Sequence, residues 1–221
     1  MGYQLIEIPR SNKVYEEISS HVDIFIAKIG NSLIIEPGFY DWFVEQVKGF
    51  KIKTNIIKGD NIVQAQYPMD ISYNVCIIGD YAIHNFKYTS KKIMELLYSL
   101  EYKLINVKQG YTNCSIAVID DNSLIVSDNG LYKELSKYDF DILLIENELD
   151  IKLLSDSGYS NKHGFIGGCI SRMGNNIIIF GDLAKIDKNN LIRNFLLKKN
   201  LKIIEFKTLD VIDYGGIIKF D

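Results

Sequence analysis

Three stretches of the chain, residues 73–85, 111–128 and 166–182, carry the same order of residue types. Each opens on small or polar residues, continues as a short apolar run, turns through Gly, Asp or Asn, and resumes as a second β-branched run. The plainest copy is Ile166-Gly167-Gly168-Cys169-Ile170, then Gly174-Asn175-Asn176, then Ile177-Ile178-Ile179. β-branched residues suit a pleated strand, and Gly or Asn supplies the positive φ of a tight turn, so each stretch predicts a hairpin. A helix-period segment follows each one. Ser90 can cap a helix carrying Ile93, Leu96, Leu97 and Leu100. Asn129 or Gly130 opens a short one with Leu131 and Leu135, and Asp187 opens one with Leu191, Ile192, Phe195 and Leu196. Apolar residues at i, i+3 and i+4 give each helix one buried face. A further apolar strand comes next, at 102–107, 141–145 and 201–206. The predicted unit is therefore ββαβ, recurring every roughly 40 to 55 residues, in the range of repeat architectures.

Two further copies are degraded. Residues 22–35, with a Gly30-Asn31 turn, continue through Phe39, Trp42, Phe43 and Val47 to a strand at 51–57. Residues 214–219, containing Gly215 and Gly216, have the pattern of a first strand that residues 5–8 would complete. Such a joint would close a ring and remove exposed strand edges. Three prolines and no Ser/Gly-rich linker leave residues 1–221 as a single domain.

Composition narrows the functions open to such a chain. Lys and Arg number 25 and Asp and Glu 28, a net charge of 25 − 28 = −3, which offers no footprint for a phosphate backbone; no nucleic-acid partner is expected. The apolar runs have strand length, far short of the ~20 residues of a membrane span, and the N-terminal residues carry no basic leader. Neither a membrane partner nor a signal peptide is expected. Cys76, Cys114 and Cys169 are widely spaced and odd in number, which suits a reducing cytoplasm. Three scattered His and three scattered Cys have no metal-ligand spacing, and no cofactor motif is present.

A ring of about five ββαβ repeats around a pseudo-five-fold axis resembles the pentein superfamily, the α/β propeller of deiminases, dimethylaminohydrolases and amidinotransferases, in a branch similar to uncharacterised clostridial-type proteins. In those enzymes a cysteine on the last Gly-Gly strand attacks a guanidinium carbon. A histidine moves protons, and an early aspartate holds the guanidinium nitrogens. The resemblance implies that Asp70, in Pro68-Met69-Asp70, is the early carboxylate and that His163, before Gly164, is the catalytic histidine. Phe165 replaces the aspartate expected two residues after it, and Lys219 stands where the nucleophile belongs. Lysine cannot form the thiouronium intermediate, so the usual deiminase or amidinotransferase reaction is not expected.

Two thiols could take over that role. Cys114 and Cys169 fall at matching points of two repeats, and first strands of this fold line a central channel. Cys169 or Cys114 with His163 would make a relocated nucleophile and base; small buried residues at the narrow centre are the structural alternative. Asn113 and Cys114, the pairs Gly167-Gly168 and Gly215-Gly216, and Arg172 are candidates for binding a small polar or guanidino-bearing ligand. Glycine admits a close approach, and Arg pairs with a carboxylate. His21-Val22-Asp23 has the His-x-Asp spacing of deiminases but lies in the wrong repeat and reads as coincidence. Cys76 reads as core and His84 as surface. A non-catalytic, protein-binding ring remains the third reading.

Overall fold

The computed structural model describes residues 3–145 and 149–221. Four copies of one unit follow one another along it. The first begins with a single helical turn, α1 (Val22–Phe25), and runs through β1 (Ile26–Ile29), β2 (Ser32–Ile35), α2 (Pro37–Gln46) and β3 (Asn55–Lys58). The second comprises β4 (Cys76–Ile78), β5 (Tyr81–His84), α3 (Lys91–Ser99) and β6 (Lys103–Asn106). The third comprises the turn α4 (Thr112–Ser115), β7 (Ile116–Val118), β8 (Ser123–Val126), α5 (Asn129–Leu135) and β9 (Asp141–Leu144). A two-stranded hairpin, β10 (Lys152–Ser155) with β11 (Gly158–His163), precedes the fourth. That unit has the turn α6 (Ile166–Cys169), β12 (Ile170–Met173), β13 (Asn176–Ile179), α7 (Leu191–Lys198) and β14 (Lys202–Glu205).

In every unit the first two strands pair antiparallel and the third pairs parallel with the second, giving a three-stranded sheet with the second strand central. Connection length explains the pattern. Hairpin turns join the antiparallel pair, whereas a parallel partner needs a crossover, which the helix supplies. Gly30, Gly79 and Gly174 hold the hairpin turns at positive φ. The third unit has no glycine there, and Asp120 stabilises the turn by accepting from the Asn122 N–H at 2.9 Å.

The helices bury the faces that the sequence marks. Ile93 and Leu97, Leu131 and Leu135, and Ile192 and Leu196 are buried, whereas Leu100 and Leu191 end exposed. Capping differs in detail from expectation. The α3 capping contact comes from Asp60, whose carboxylate accepts from Ser90 Oγ at 2.5 Å and from the Lys92 N–H. Asp128 caps α5 through the Leu131 N–H. Asp187 lies before α7 and accepts from the N–H groups of Ile192 and Arg193. Each satisfies donors that a helix start leaves unpaired.

The expected terminal strand is absent. Among the described residues neither 5–8 nor 214–219 belongs to a strand, because Gly215 and Gly216 both hold positive φ and break the extended backbone. Side-on contacts hold the tail instead. Tyr214 and Gly216 N–H groups donate to Gly168 O, and the Ile217 N–H donates to Ser171 Oγ. Lys28 Nζ donates to Lys219 O, and Asp221 O accepts from Lys53 and Thr54 N–H. The tail thus ties the fourth unit to the first. Among the described residues no helix is long and apolar enough to cross a membrane.

His84, expected at the surface, is fully buried on β5, which pairs on both sides. Its Nε2 lies 2.9 Å from Gly110 O and therefore carries the proton, which leaves Nδ1 to accept from Thr89 Oγ1 at 2.6 Å. Burial lowers its pKa to about 4 from 6.5. The folded state therefore binds the proton less readily than the unfolded chain. The stability this contributes is complete above pH ~6.5 and is lost as pH falls towards ~4, to a limit of about 3 kcal/mol. Denaturant unfolding of wild type between these pH values is expected to follow that slope, and His84→Gln is expected to flatten it.

Candidate functional site

The first strands of the four units run side by side with their beginnings together. Asn113 meets Asn74 and Asp23 at one end, and Arg172 Nη1 reaches Ile119 O at the other. They surround a cavity of about 510 Å³. Every first strand contributes to its lining: Ile26, Ala27 and Lys28, Val75 and Ile77, Ile116 and Val118, Ile170, Ser171 and Arg172, with Ile217, Ile218 and Lys219 from the tail. Branched aliphatic side chains share the walls with Tyr73, Tyr102 and Ser171. Asp23, Asn113, Gly167, Gly215 and Gly216 form the inner end, where the strands begin. Lys28, Asp120, Asp121, Arg172 and Lys219 form the outer end, near the hairpin turns.

Beneath the inner end the hub is filled by a polar cluster. Asp23 Oδ2 accepts from Asn113 Nδ2 at 3.1 Å and from Cys114 Sγ at 2.9 Å. Asn74 Oδ1 accepts from the N–H groups of Asn113 and Cys114, and its Nδ2 donates to Cys114 Sγ. Asp213 accepts from the N–H groups of Phe165 and Gly215, each at 2.8 Å, and lies 3.7 Å from His21 Nδ1, beyond hydrogen-bond distance. His21, Asp23, Cys114 and Asp213 are each at most 4% exposed. His21 Nδ1 and Asp23 Oδ1 have no hydrogen-bond partner among the described residues. Burial pushes the Asp23 carboxyl up. Burial, reinforced by the Asp23 and Asp213 carboxylates, holds the Cys114 thiol well above its ordinary value.

The residues singled out from sequence divide between three places. Asn113, Gly167, Arg172, Gly215 and Gly216 line the cavity; Cys114 and Gly168 lie in the hub. Arg172 has Nε and Nη1 engaged by the carbonyls of Gly174 and Ile119. Cys169 is not at a point matching Cys114. It is the fourth residue of its helical turn where Cys114 is the third, and this offset puts Cys169 in the apolar core, with Sγ donating to Ile166 O. His163 is exposed at the end of β11 and no hydrogen bond joins it to either thiol among the described residues. Asp70 is fully buried and its Oδ2 accepts from the Tyr111 hydroxyl, while Tyr111 stacks on Phe165. Burial raises its pKa. The two glycine pairs also differ: Gly167 and Gly168 lie within α6, whereas Gly215 and Gly216 have positive φ outside any element.

His21, Asp23, Asn74 and Asp213 escape a reading of the sequence. The one signal is the His21-x-Asp23 spacing, in the first unit. Sequence spacing gives no metal site either, because Cys114 and Asp23 stand 91 residues apart and meet only through the fold.

A family model described as a family of unknown function (DUF6873) matches residues 1–218. No curated protein sequence matches the chain. Among solved structures, the chain is similar to the dimethylarginine dimethylaminohydrolase of Pseudomonas aeruginosa complexed with citrulline (11% identity, 86% of this chain and 69% of that one, TM-score 0.52). It is similar to the agmatine deiminase of C. jejuni (14%, 80% and 62%, TM-score 0.51) and to SxtG, an amidinotransferase of Microseira wollei in saxitoxin biosynthesis (13%, 92% and 70%, TM-score 0.51). Identities this low establish a shared fold, that of the penteins, and not a shared chemistry.

The native thiols are expected to resist iodoacetamide at neutral pH, and all to react once the chain is unfolded. Rapid native labelling of Cys114 would contradict the hub geometry. Gly168→Ala places a Cβ against the Asp213 carboxylate. It is expected to cost about 3 kcal/mol or more, or to prevent folding, as read by denaturant unfolding.

Proposed function

The chain belongs to the DUF6873 family, and from that premise and the pentein fold we propose that it binds a small polar molecule bearing a guanidino or amino group, outside the usual deiminase and amidinotransferase reactions. The cavity carries this reading. At about 510 Å³ it has the size of a small-ligand site, and aliphatic side chains share its lining with Asp23, Asn113, Ser171 and the charged groups of its outer end. Its outer end offers both signs of charge, Asp120 and Asp121 for a cationic head and Lys28 and Lys219 for a carboxylate. A zwitterion the size of a guanidino amino acid matches that distribution. In the proposed arrangement the four units and the tail surround a pseudo-five-fold axis, the tail standing in for a fifth unit, with the cavity on the axis.

Thiolate catalysis finds less support. No cysteine lines the cavity, and burial raises the pKa of all three, that of Cys76 to about 12. Lys219, at the sequence position of the pentein nucleophile, stands at the outer end of the cavity, away from Asp23. The buried, unpaired cysteines favour a reducing compartment.

A thermal-shift screen with arginine, methylated arginines, agmatine, citrulline and creatine, run with a chelator present, tests the reading. A ligand at a hundredfold its Kd adds about 2.7 kcal/mol of stability, a readily measured rise in Tm. Val118→Trp, which projects an indole into the cavity, is expected to abolish the shift, and Asp121→Asn to weaken binding of cationic ligands. No shift from any of these compounds, or a shift that survives Val118→Trp, would overturn it.

A further inference from the structure

Beneath the cavity, three side chains of different chemistry turn their ligand atoms towards one another. A ring nitrogen of His21, a carboxylate oxygen of Asp23 and the Sγ of Cys114 all lie within 4.8 Å of each other. Each of these side chains is more than nine-tenths buried, and two polar atoms in the group, His21 Nδ1 and Asp23 Oδ1, have no hydrogen-bond partner among the described residues. Buried polar atoms are nearly always paired, so unpartnered ones in a cluster of metal-binding side chains need a reason. Packing does not provide one. Asp23 is already held through Oδ2 by Asn113 and Cys114, and its second oxygen adds desolvation cost with no return contact.

We propose that His21, Asp23 and Cys114 form a binding site for one divalent transition-metal ion of the zinc class. Thiolate, imidazole and carboxylate together are a zinc donor set, and a tetrahedral ion with bonds of ~2.0 to 2.3 Å sets its ligand atoms roughly 3.4 to 3.8 Å apart. Cys114 Sγ and Asp23 Oδ2 stand closer than this, at 2.9 Å, because a proton joins them. On binding, that proton leaves to buffer, the sulfur–metal bond replaces the S–H bond, and the ion takes the place of the hydrogen bond. Asp213 lies 3.7 Å from the same His21 Nδ1, too far to hydrogen-bond with it, and is fixed by two backbone N–H donors, so it places a second carboxylate beside the site without occupying that nitrogen. Asp23 and Asn113 also form the inner end of the cavity, which provides the entry path. The two buried carboxylates raise the negative potential where the cation would sit. The site goes beyond the small-molecule reading and does not depend on it.

Cobalt(II) titration of the full-length, chelator-treated protein tests the proposal. One equivalent is expected to produce thiolate-to-cobalt charge-transfer absorption, with release of a proton, and zinc is expected to displace it. Cys114→Ser should lose the charge-transfer band, and Asp23→Asn and His21→Gln should weaken binding by tenfold or more, while Cys169→Ser should leave band and affinity unchanged. Circular dichroism identifies any variant that fails to fold. Asp23→Asn, which keeps the side-chain shape, supplies the comparison if Cys114→Ser does not fold. Absence of the band in folded wild type, its persistence in folded Cys114→Ser, or unchanged affinity in folded Asp23→Asn would overturn the proposal. Because the readout is metal absorption without small molecules, its failure is distinct from failure of the ligand screen.

Discussion

The carboxylate of Asp213 fixes the centre of this molecule. It accepts the N–H of Phe165 at the entrance to the fourth unit and the N–H of Gly215 at the start of the tail, and it stands beside His21 of the first unit. Backbone amides are obligatory donors, and burying one unpaired costs about as much as a lost hydrogen bond, so a buried carboxylate that satisfies two of them is strongly positioned. Its place exists only because position 168 has no side chain. The absence of a Cβ there and the presence of a carboxylate at 213 are two halves of one constraint. Where the tail passes depends on both.

The same constraint explains why the tail is not a strand. A strand would require residues 214–219 to be extended and to pair along a sheet edge. The tail instead bends at Gly215 and Gly216, returns two N–H groups to a single carbonyl of Gly168, and then runs out along the cavity to Lys28 and Asp221's contacts in the first unit. Closure by such individual contacts leaves the cavity bounded by the unpaired tail on one side and by first strands that are each paired within their own sheets on the others. Ile217, Ile218 and Lys219 all line the cavity, so the tail forms part of its wall without joining a ladder.

How much of this was legible in the sequence follows from the range of each interaction. The hairpins, the crossover helices and their order are local, set by β-branched runs, turn residues and a 3.6-residue period; four ββαβ units are present, and the expected fifth, at 214–219 with 5–8, is not. The resemblance carried by that repeat leads to the pentein fold found by structural similarity. The hub is not local. Asp23, Asn74, Asn113, Cys114 and Asp213 come from four different parts of the chain, and no spacing joins them. Aligning the cysteines by sequence pattern matches Cys114 with Cys169, but one residue of offset on a helical turn rotates a side chain by about 100°, enough to exchange hub for core. His84 failed for a related reason: the Ile-His-Asn run looks like a strand end, yet Thr89 and Gly110, both distant along the chain or across a turn, provide partners that let it be buried.

Electrostatics then separates this hub from a pentein reaction centre of the usual kind. Attack on a guanidinium carbon needs a thiolate, which a nearby positive charge stabilises. Cys114 has the opposite surroundings: it is excluded from water and faces two carboxylates, and the hydrogen bond it gives to Asp23 rewards keeping the proton. Asp70, in the motif that resembles the guanidinium-holding aspartate, is fully buried and has one oxygen engaged by the Tyr111 hydroxyl. The first strands of the four units surround a cavity, while the buried groups beneath it hold a proton on sulfur instead of presenting a thiolate to a carbon centre. Two layers therefore lie one beneath the other: a cavity with both signs of charge at its outer end, and a buried cluster in which Asp23, Asn113 and Cys114 hydrogen-bond one another.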